Sequence, residues 1–319
     1  MEAHHFRWDL DKTYLQTDFE SLRGLYRAAT EPAEDKSAYP GAAELLAALG
    51  TNPHHQIAIV SGSPTSMRRV LTEKLDLDGV RVDHLVLKPQ MHNILRLRFR
   101  AIRDQIGYKL PTLLSWRSIV DVNAQETLVG DDVEMDAFIY VLYAEIVAGR
   151  IDTDALVNIL EQGKVHRDAI ERSVHLAKLV HSCEGVSRVL VHLDKRTAPG
   201  WFRPYGYRLV PFHNYLQAAA VLFVDGRIEL DTTIEITRSI VRSGHLSVRS
   251  LAGSLEDLGR RMDIEPPKRK VIGDGLDQAF ETTLFSAALI QPGANLSTSL
   301  TPVLGLDALL KREQSRHRK

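Results

Sequence analysis

The chain has 319 residues, of which 44% are hydrophobic and 25% charged, and its formal net charge is −1. This composition excludes an intrinsically disordered chain, and the balanced charge argues against a general nucleic-acid or membrane-surface binder. The single cysteine, Cys183, excludes an intramolecular disulfide and a thiolate metal cluster, and it fits a reducing, cytoplasmic location.

The first predicted strand, 5–10, ends in acidic residues. Asp9 and Asp11 stand at its carboxyl end and Thr13 follows them. Residues i and i+2 of an extended chain project to the same side, so both carboxylates would point into one small volume. Two close carboxylates repel unless a cation or a shared proton compensates them, and Mg²⁺ is a natural partner. The alternative is that both acids are surface turn residues.

The second predicted strand, 55–60, follows helices predicted over 14–30 and 41–49. It is a continuous apolar run that ends in Ser61-Gly62-Ser63-Pro64, and Pro64 is well placed to start a helix over 65–75. A helix N-terminus after a small-residue turn favours an anion. The alternative is a simple connection from strand to helix. Ser63 is either a further phosphate contact or a turn residue, and we interpret it as a turn residue.

A third strand is predicted over 82–87, ending at Lys88, and a helix over 91–109, which closes at Lys109 just before Pro111. The arginines of this helix are interpreted as a solvated face.

A fourth strand, 126–130, repeats the opening pattern, because acids follow it. Asp131 and Asp136 bracket the turn into a helix over 137–147. The alternative is that Asp132 is only an N-cap and Glu134 only a first-turn acid. A diphosphate motif of the DDxxD type would require an all-helical fold, which the strands contradict.

The rest of the chain adds one strand and many helices. Two helices are predicted over 152–180, a strand over 186–193, an aromatic and proline-rich loop over 197–211, and a helix over 214–224. We interpret the loop as packed, and the alternative is a lid near the site or a surface that docks a lipid headgroup. Helices dominate beyond 226, with a loop at 264–270 and a frayed, solvated basic helix at the end. The N-terminal residues lack the apolar segment of a secretory signal, and the most apolar stretch, 216–224, is shorter than the roughly 20 residues that span a bilayer.

The alternation of strands and helices predicts an α/β fold with a doubly wound parallel sheet, helical insertions and a helical C-terminal part. We divide the chain into a core, 1–225, with a helical insertion at about 150–185, and a helical C-terminal region, 226–319. Ligands of such sheets bind outside the carboxyl ends of the strands, where the polar residues described above converge.

Four of these motifs resemble, in order, those of the haloacid dehalogenase superfamily. They are the segment Asp9-Leu10-Asp11-Lys12-Thr13, Ser61, a following lysine, and Gly130-Asp131 with Asp136. SGSP and GDDVEMDAFIY resemble the catalytic domain of phosphatidate phosphatases of the yeast actin-patch type and its bacterial relatives, over about 5–143. The helices at 152–182 depart from that pattern, and the last hundred residues or so match no family.

The resemblance implies a Mg²⁺-dependent phosphatase with an aspartyl-phosphate intermediate. Asp9 would be the nucleophile, and Asp11 would be the general acid and then the general base. Asp9, Asp11 through its backbone carbonyl, and Asp131 would hold Mg²⁺, with Asp136 as a direct or indirect partner.

The resemblance also implies a set of phosphate contacts. Ser61 and Gly62 would bind a phosphoryl oxygen, and Thr13 would tie the loop after the first strand. A lysine would balance the charge of the nucleophile and the phosphoryl group. Lys109 is preferred for this role over Lys88, because its distance from Asp131 in sequence matches the family.

Two classes of substrate remain open. The leading expectation is a phosphomonoester of the phosphatidate type, and the alternative is a soluble sugar, nucleotide or protein phosphate. No large cap is apparent between Asp11 and Ser61, and an open site suits a substrate presented by a membrane, with transient contact to its surface. A different class of function is a non-catalytic binding protein with this fold. The sequence gives no oligomeric state.

Overall fold

Six strands form one all-parallel sheet in the order β3-β2-β1-β4-β5-β6 within the residues that the computed structural model describes, 3–17, 31–88, 101–289 and 301–317. The strands are β1 (His4–Trp8), β2 (His55–Pro64), β3 (His84–Lys88), β4 (Gln125–Asp131), β5 (Val186–His192) and β6 (Leu209–Phe212).

Helices alternate with these strands and then continue alone to the end of the described chain. They are α1 (Ala42–Gly50), α2 (Arg68–Leu77), α3 (Ala101–Arg117), α4 (Asp136–Val147), α5 (Thr153–Gln162), α6 (Arg167–Ala177), α7 (Tyr215–Val224), α8 (Leu230–Arg242), α9 (Val248–Arg261), α10 (Pro266–Phe280), α11 (Leu284–Ala288) and α12 (Leu306–Arg316). No helix of the described ranges is long and apolar enough to cross a bilayer.

The fold is therefore of the α/β class, as the sequence predicts, with a Rossmann-like parallel sheet. Neighbouring residues of β4 and β5 belong to two different hydrophobic clusters. Val129 and Leu190 lie in one cluster, and Leu128 and Val189 lie in the other. Because successive side chains of a strand point to opposite faces, both faces of the sheet are covered.

The C-terminal helices pack into these same clusters. Ile236 and Leu276 are buried in the cluster that contains Phe6 of β1, and Leu309 and Leu310 lie in the one built on α4. These contacts tie the C-terminal helices to the sheet, and the boundary drawn at 225/226 stays a prediction.

The strand order changes direction between β1 and β4, which pair with each other from His4 opposite Gln125 to Trp8 opposite Val129. Loops that leave two adjacent parallel strands at such a point diverge to opposite sides and open a crevice at the carboxyl edge. The residues that follow β1 and β4 therefore meet there.

Three predicted boundaries are wrong, each because of proline. α3 continues through Pro111 to Arg117, so Lys109 lies inside a helix. Residues 266–270 belong to a helix and not to a loop, because Pro266 occupies the first turn of α10, where the missing amide has no partner to lose. The expected loop 197–211 contains a 3₁₀ helix and runs into edge strand β6, where Pro211 is tolerated.

The basic end is also not simply solvated, because Arg316 of α12 is largely buried. The helix predicted over 14–30 does not begin at Tyr14, since residues 14–17 form a turn and a bridge. Its remainder, 18–30, and the 91–100 part of the arginine-rich helix lie outside the described residues.

Candidate active site

The nucleophile candidate Asp9 lies at the carboxyl end of β1 and is 1% exposed. Its amide donates to the carbonyl of Val129 at 2.8 Å, which extends the pairing with β4 by one residue. Thr13 Oγ1 donates to Asp9 Oδ2 at 3.2 Å, and the carbonyl of Thr13 in turn accepts a bond of 2.5 Å from Tyr215 OH. The turn after the strand thus folds back and holds the carboxylate.

This turn replaces the extended chain expected through Leu10. The strand ends at Trp8, and the amides of Tyr14 and Leu15 both donate to the carbonyl of Leu10 at 2.9 Å. Lys12 takes a positive φ of 60°, which a tight turn requires. Asp11, inside the turn, is buried as well.

Asp11 is held by the end of β2. Ser61 Oγ and Ser63 Oγ donate to Asp11 Oδ2 at 2.9 and 2.7 Å. Burial raises the pKa of Asp11, and the bond from Ser63 opposes that rise. The interpretation of Ser63 as a plain turn residue is therefore wrong. Gly62, between the two serines, is exposed, and a Cβ there would meet nothing within 4 Å.

Lys109 links three acidic side chains. Its Nζ lies 2.8 Å from Asp9 Oδ1, 2.9 Å from Glu134 Oε2 and 2.5 Å from Asp136 Oδ1. Burial alone would lower the pKa of Lys109. The three carboxylates of Asp136, Asp9 and Glu134 outweigh burial and raise that pKa well above its usual range. The side chain is therefore a fixed cation. Lys88, by contrast, ends β3 half-buried, paired in register with Pro64.

The loop after β4 is built around Asp131. Its Oδ1 accepts the amides of Val133 and Glu134 at 2.6 and 2.7 Å, while its own amide donates to Asp136 Oδ2 at 3.3 Å. Gly130 makes this packing feasible, because a Cβ there would lie 2.3 Å from Asp136 Oδ2. The glycine before the acids is thus a steric requirement.

Asp132 is not the N-cap of α4, which begins at Asp136 after Met135. Its carboxylate is fully buried and accepts the amides of Lys195 and Thr197 at 2.8 and 2.9 Å. The residue ties the loop 131–136, called the acidic loop below, to the segment after β5.

Within the described residues, the cluster of Asp9, Asp131, Glu134, Asp136 and Lys109 carries more negative than positive charge. Burial, followed by the neighbouring carboxylates, raises the pKa of Asp131 well above its usual range. Burial also raises the pKa of Asp9 well above its usual range, with Lys109 opposing it, and that of Asp136 to about 6. One ammonium does not compensate these acids together with Glu134, so a divalent cation would relieve the excess.

The donor set fits such a cation. Asp131 Oδ2 and Asp11 Oδ1 are buried, and in the described part of the chain neither accepts a hydrogen bond. Oxygens of Asp9, Glu134 and Asp136 also lie within 4.8 Å of one another, close enough for one ion. These three residues already contact Lys109, so an ion held by all three would compete with the ammonium. Asp131 Oδ2 accepts no hydrogen bond from Lys109 among the described residues, so it meets no such competition, and oxygen-only ligands suit Mg²⁺.

Sequence reasoning missed two features of this site, the bond from Ser63 to Asp11 and the side chain of Glu134. A signal for Glu134 was present, since four acids fall within the six residues 131–136, more than capping a helix requires. The aromatic loop after β5 is packed as predicted, with Phe202 and Tyr205 buried.

Comparison of the chain with models of known protein families, with curated proteins and with solved structures found no significant match. The contacts of Asp9, Asp11, Lys109 and Asp131 are therefore the basis on which a function is proposed.

Proposed function

We propose that the protein is a Mg²⁺-dependent phosphatase of the haloacid dehalogenase type, which hydrolyses a phosphomonoester through an aspartyl phosphate. The observation that carries the proposal is the buried Asp9 carboxylate, held by Lys109 and Thr13 in a cluster with excess negative charge. The doubly wound arrangement of that superfamily is part of the same proposal.

In the first step, an Asp9 carboxylate oxygen attacks phosphorus, and the bond from phosphorus to the leaving oxygen breaks. Asp11 donates its proton to that oxygen. The raised pKa of Asp11 favours its protonated form. Both of its hydrogen bonds are at Oδ2, so Oδ1 is available to carry the proton.

In the second step, Asp11 accepts a proton from water, which attacks the phosphorus of the aspartyl phosphate. The acyl phosphate bond breaks, inorganic phosphate leaves and Asp9 is restored as a carboxylate. Lys109 keeps its positive charge throughout and offsets the negative charge of the nucleophile and the phosphoryl group.

Asp9 and Asp131 would hold Mg²⁺, with Asp11 near them and Asp136 anchoring the loop. When bound, the ion would supply electrostatic neutralisation of the phosphoryl oxygens. Asp136 contacts Lys109 and the amide of Asp131, so we assign it to orienting both groups.

For the substrate, the motif resemblance favours a lipid phosphate of the phosphatidate type over a soluble phosphate. The aromatic loop gives no added support to a lipid, because Phe202 and Tyr205 are buried and Arg208 is paired with Glu184. The protein is proposed to act in the cytoplasm.

The test is phosphate release from an aryl phosphate, with and without Mg²⁺, by the wild-type chain and by Asp9→Asn. We expect metal-dependent turnover that is lost in the variant, whose circular dichroism spectrum should match the wild type. Phosphatidate in detergent micelles and a set of soluble phosphate esters then distinguish the two substrate classes. Absence of both turnover and Mg²⁺ binding would instead favour a binding protein.

A further inference from the structure

The C-terminal helix α12 reaches the acidic loop through Arg316. This side chain is 11% exposed and lies 2.6 Å from the fully buried carboxylate of Glu313, one turn earlier. Glu313 also accepts a bond of 2.5 Å from Tyr205 OH. The guanidinium is therefore fixed by its own helix before it contacts anything else.

The guanidinium also donates hydrogen bonds to the backbone of the acidic loop. Nη1 donates to the carbonyl of Asp132, and Nη2 donates to the carbonyl of Glu134 at 3.2 Å. Nη1 also lies 3.4 Å from Thr197 Oγ1. A planar guanidinium that binds two carbonyls two residues apart fixes the turn between them.

This turn sets the direction of two acidic side chains. The amides of Val133 and Glu134 hold Asp131 Oδ1, which leaves Oδ2 without a hydrogen bond from any described residue. Glu134 extends from the same turn to Lys109. Any displacement of the carbonyls of Asp132 and Glu134 moves both carboxylates.

We propose that Arg316 is a positioning residue of the active site, which holds the 131–134 turn so that Asp131 presents a free oxygen to Mg²⁺. The proposal rests on the proposed function and deepens it, because it makes the C-terminal helix a working part of the cation site. Residues that orient metal ligands commonly change metal affinity by roughly 10- to 100-fold when they are removed.

The same helix offers a matched control. Arg312 lies one turn before Arg316, stacks on the Trp201 ring at 4.1 Å and donates to the carbonyl of Trp201 at 3.2 Å. It docks α12 by a cation–π contact and a carbonyl bond, and both of these contacts are with Trp201 and not with the acidic loop. Loss of Arg312 reports on helix docking alone.

The experiment compares the wild type with Arg316→Ala, Arg316→Lys and Arg312→Ala. Mg²⁺ affinity is measured by titration calorimetry with MgCl₂, and amide hydrogen exchange of residues 131–136 is measured in the metal-free proteins. Circular dichroism and thermal unfolding establish that each variant is folded. The lysine variant keeps the charge near Glu313 but has a single donor centre.

We expect Arg316→Ala to weaken Mg²⁺ binding roughly 10- to 100-fold and to speed exchange of the Val133 and Glu134 amides by roughly tenfold. Arg316→Lys should fall between these values and the wild type, and Arg312→Ala should stay within about twofold of the wild type.

Equal Mg²⁺ affinity and equal exchange in Arg316→Ala and the wild type would overturn the inference and leave the proposed function intact. Equal losses in Arg316→Ala and Arg312→Ala would also overturn it, in favour of simple helix docking. If the wild type binds no Mg²⁺, the proposed function fails. The exchange comparison in the metal-free proteins then still decides whether Arg316 fixes the turn.

Discussion

The ammonium of Lys109 lies 2.8 Å from a carboxylate oxygen of Asp9, although the two residues are 100 positions apart in the sequence. Each side chain is only 1% exposed, so the pair is removed from water. A buried charge whose partner is removed is strongly destabilised. The contact therefore places the positive charge of Lys109 directly beside the proposed nucleophile, Asp9.

Lys109→Met should abolish this balance. We expect phosphatase activity to fall by roughly 100- to 1,000-fold, because a fixed cation beside the nucleophile is lost. Lys88→Met, which changes the lysine at the end of β3, should cause a much smaller loss. Steady-state rates of the two variants with an aryl phosphate provide the measurement. The larger loss in Lys88→Met would contradict the assignment.

Asp131→Asn should distinguish the effect of Asp131 on the stability of the metal-free protein from its effect on Mg²⁺ binding. The variant keeps the Oδ1 acceptor for the amides of Val133 and Glu134 but removes a buried charge. We expect the metal-free variant to be as stable as the wild type or up to about 1 kcal/mol more stable, because repulsion within the cluster is relieved.

Mg²⁺ should stabilise the wild type against unfolding, by about 2.7 kcal/mol at a concentration 100 times the dissociation constant. The Asp131→Asn variant should show almost none of this stabilisation. Urea unfolding with EDTA and with increasing MgCl₂ measures both effects. Equal Mg²⁺ stabilisation of the two proteins would show that Asp131 is not a ligand.

Ser63→Ala should shift the pH dependence of the reaction. The bond of 2.7 Å from Ser63 Oγ favours the charged form of Asp11, so its loss should raise the pKa of Asp11 further. As a general acid, Asp11 must be protonated, and kcat/KM should fall as pH rises through its pKa. The alkaline limb should therefore move to higher pH, by about 0.5–1 unit for one hydrogen bond.

The matched control for this variant is Thr65→Ala, a change at an exposed residue two positions further along. Its pH profile should overlay that of the wild type. An alkaline limb that stays in place, or moves to lower pH, in Ser63→Ala would contradict the role assigned to Asp11.

Sequence reasoning placed the site because the carboxyl ends of parallel strands share one edge of the sheet. Asp9 and Asp131 lie at the carboxyl ends of adjacent strands, and the strand pattern and the strand order are enough to predict their positions. Lys109 was harder, since it enters from a helix that continues past a proline. Its selection depended on motif spacing and not on secondary structure.

The contacts that sequence reasoning missed depend on how separate elements meet. Ser63 reaches Asp11 across a register shift at the end of β2, and such a bulge leaves no clear mark in the residue pattern. The basic composition of the last residues predicts a solvated tail for Arg316, because composition does not say which surface a helix covers. The contact of Arg316 with the carbonyl of Asp132 spans 184 positions.

Two adjacent histidines of β1 should make the fold sensitive to acid. Burial lowers the pKa of His4 to about 2 and that of His5 to about 4, so both are neutral in the folded state at pH 6. In the unfolded chain they titrate near about 6.5. Their contribution to stability is complete above that pH and is lost as pH falls toward the folded-state values.

Each histidine should therefore add a slope of up to about 1.4 kcal/mol per pH unit to the free energy of unfolding between about pH 6.5 and 4. His4→Gln removes one titrating group and retains a partner for Thr127 Oγ1, which His4 Nε2 contacts at 2.9 Å. Loss of the ring packing against Phe6, at 4.7 Å, should lower its stability at pH 7. Its stability should nevertheless fall less steeply with acid than that of the wild type.

His54→Gln, a change at an exposed position, should keep the wild-type slope. Urea unfolding across this pH range tests the prediction, and parallel curves for His4→Gln and the wild type would contradict it.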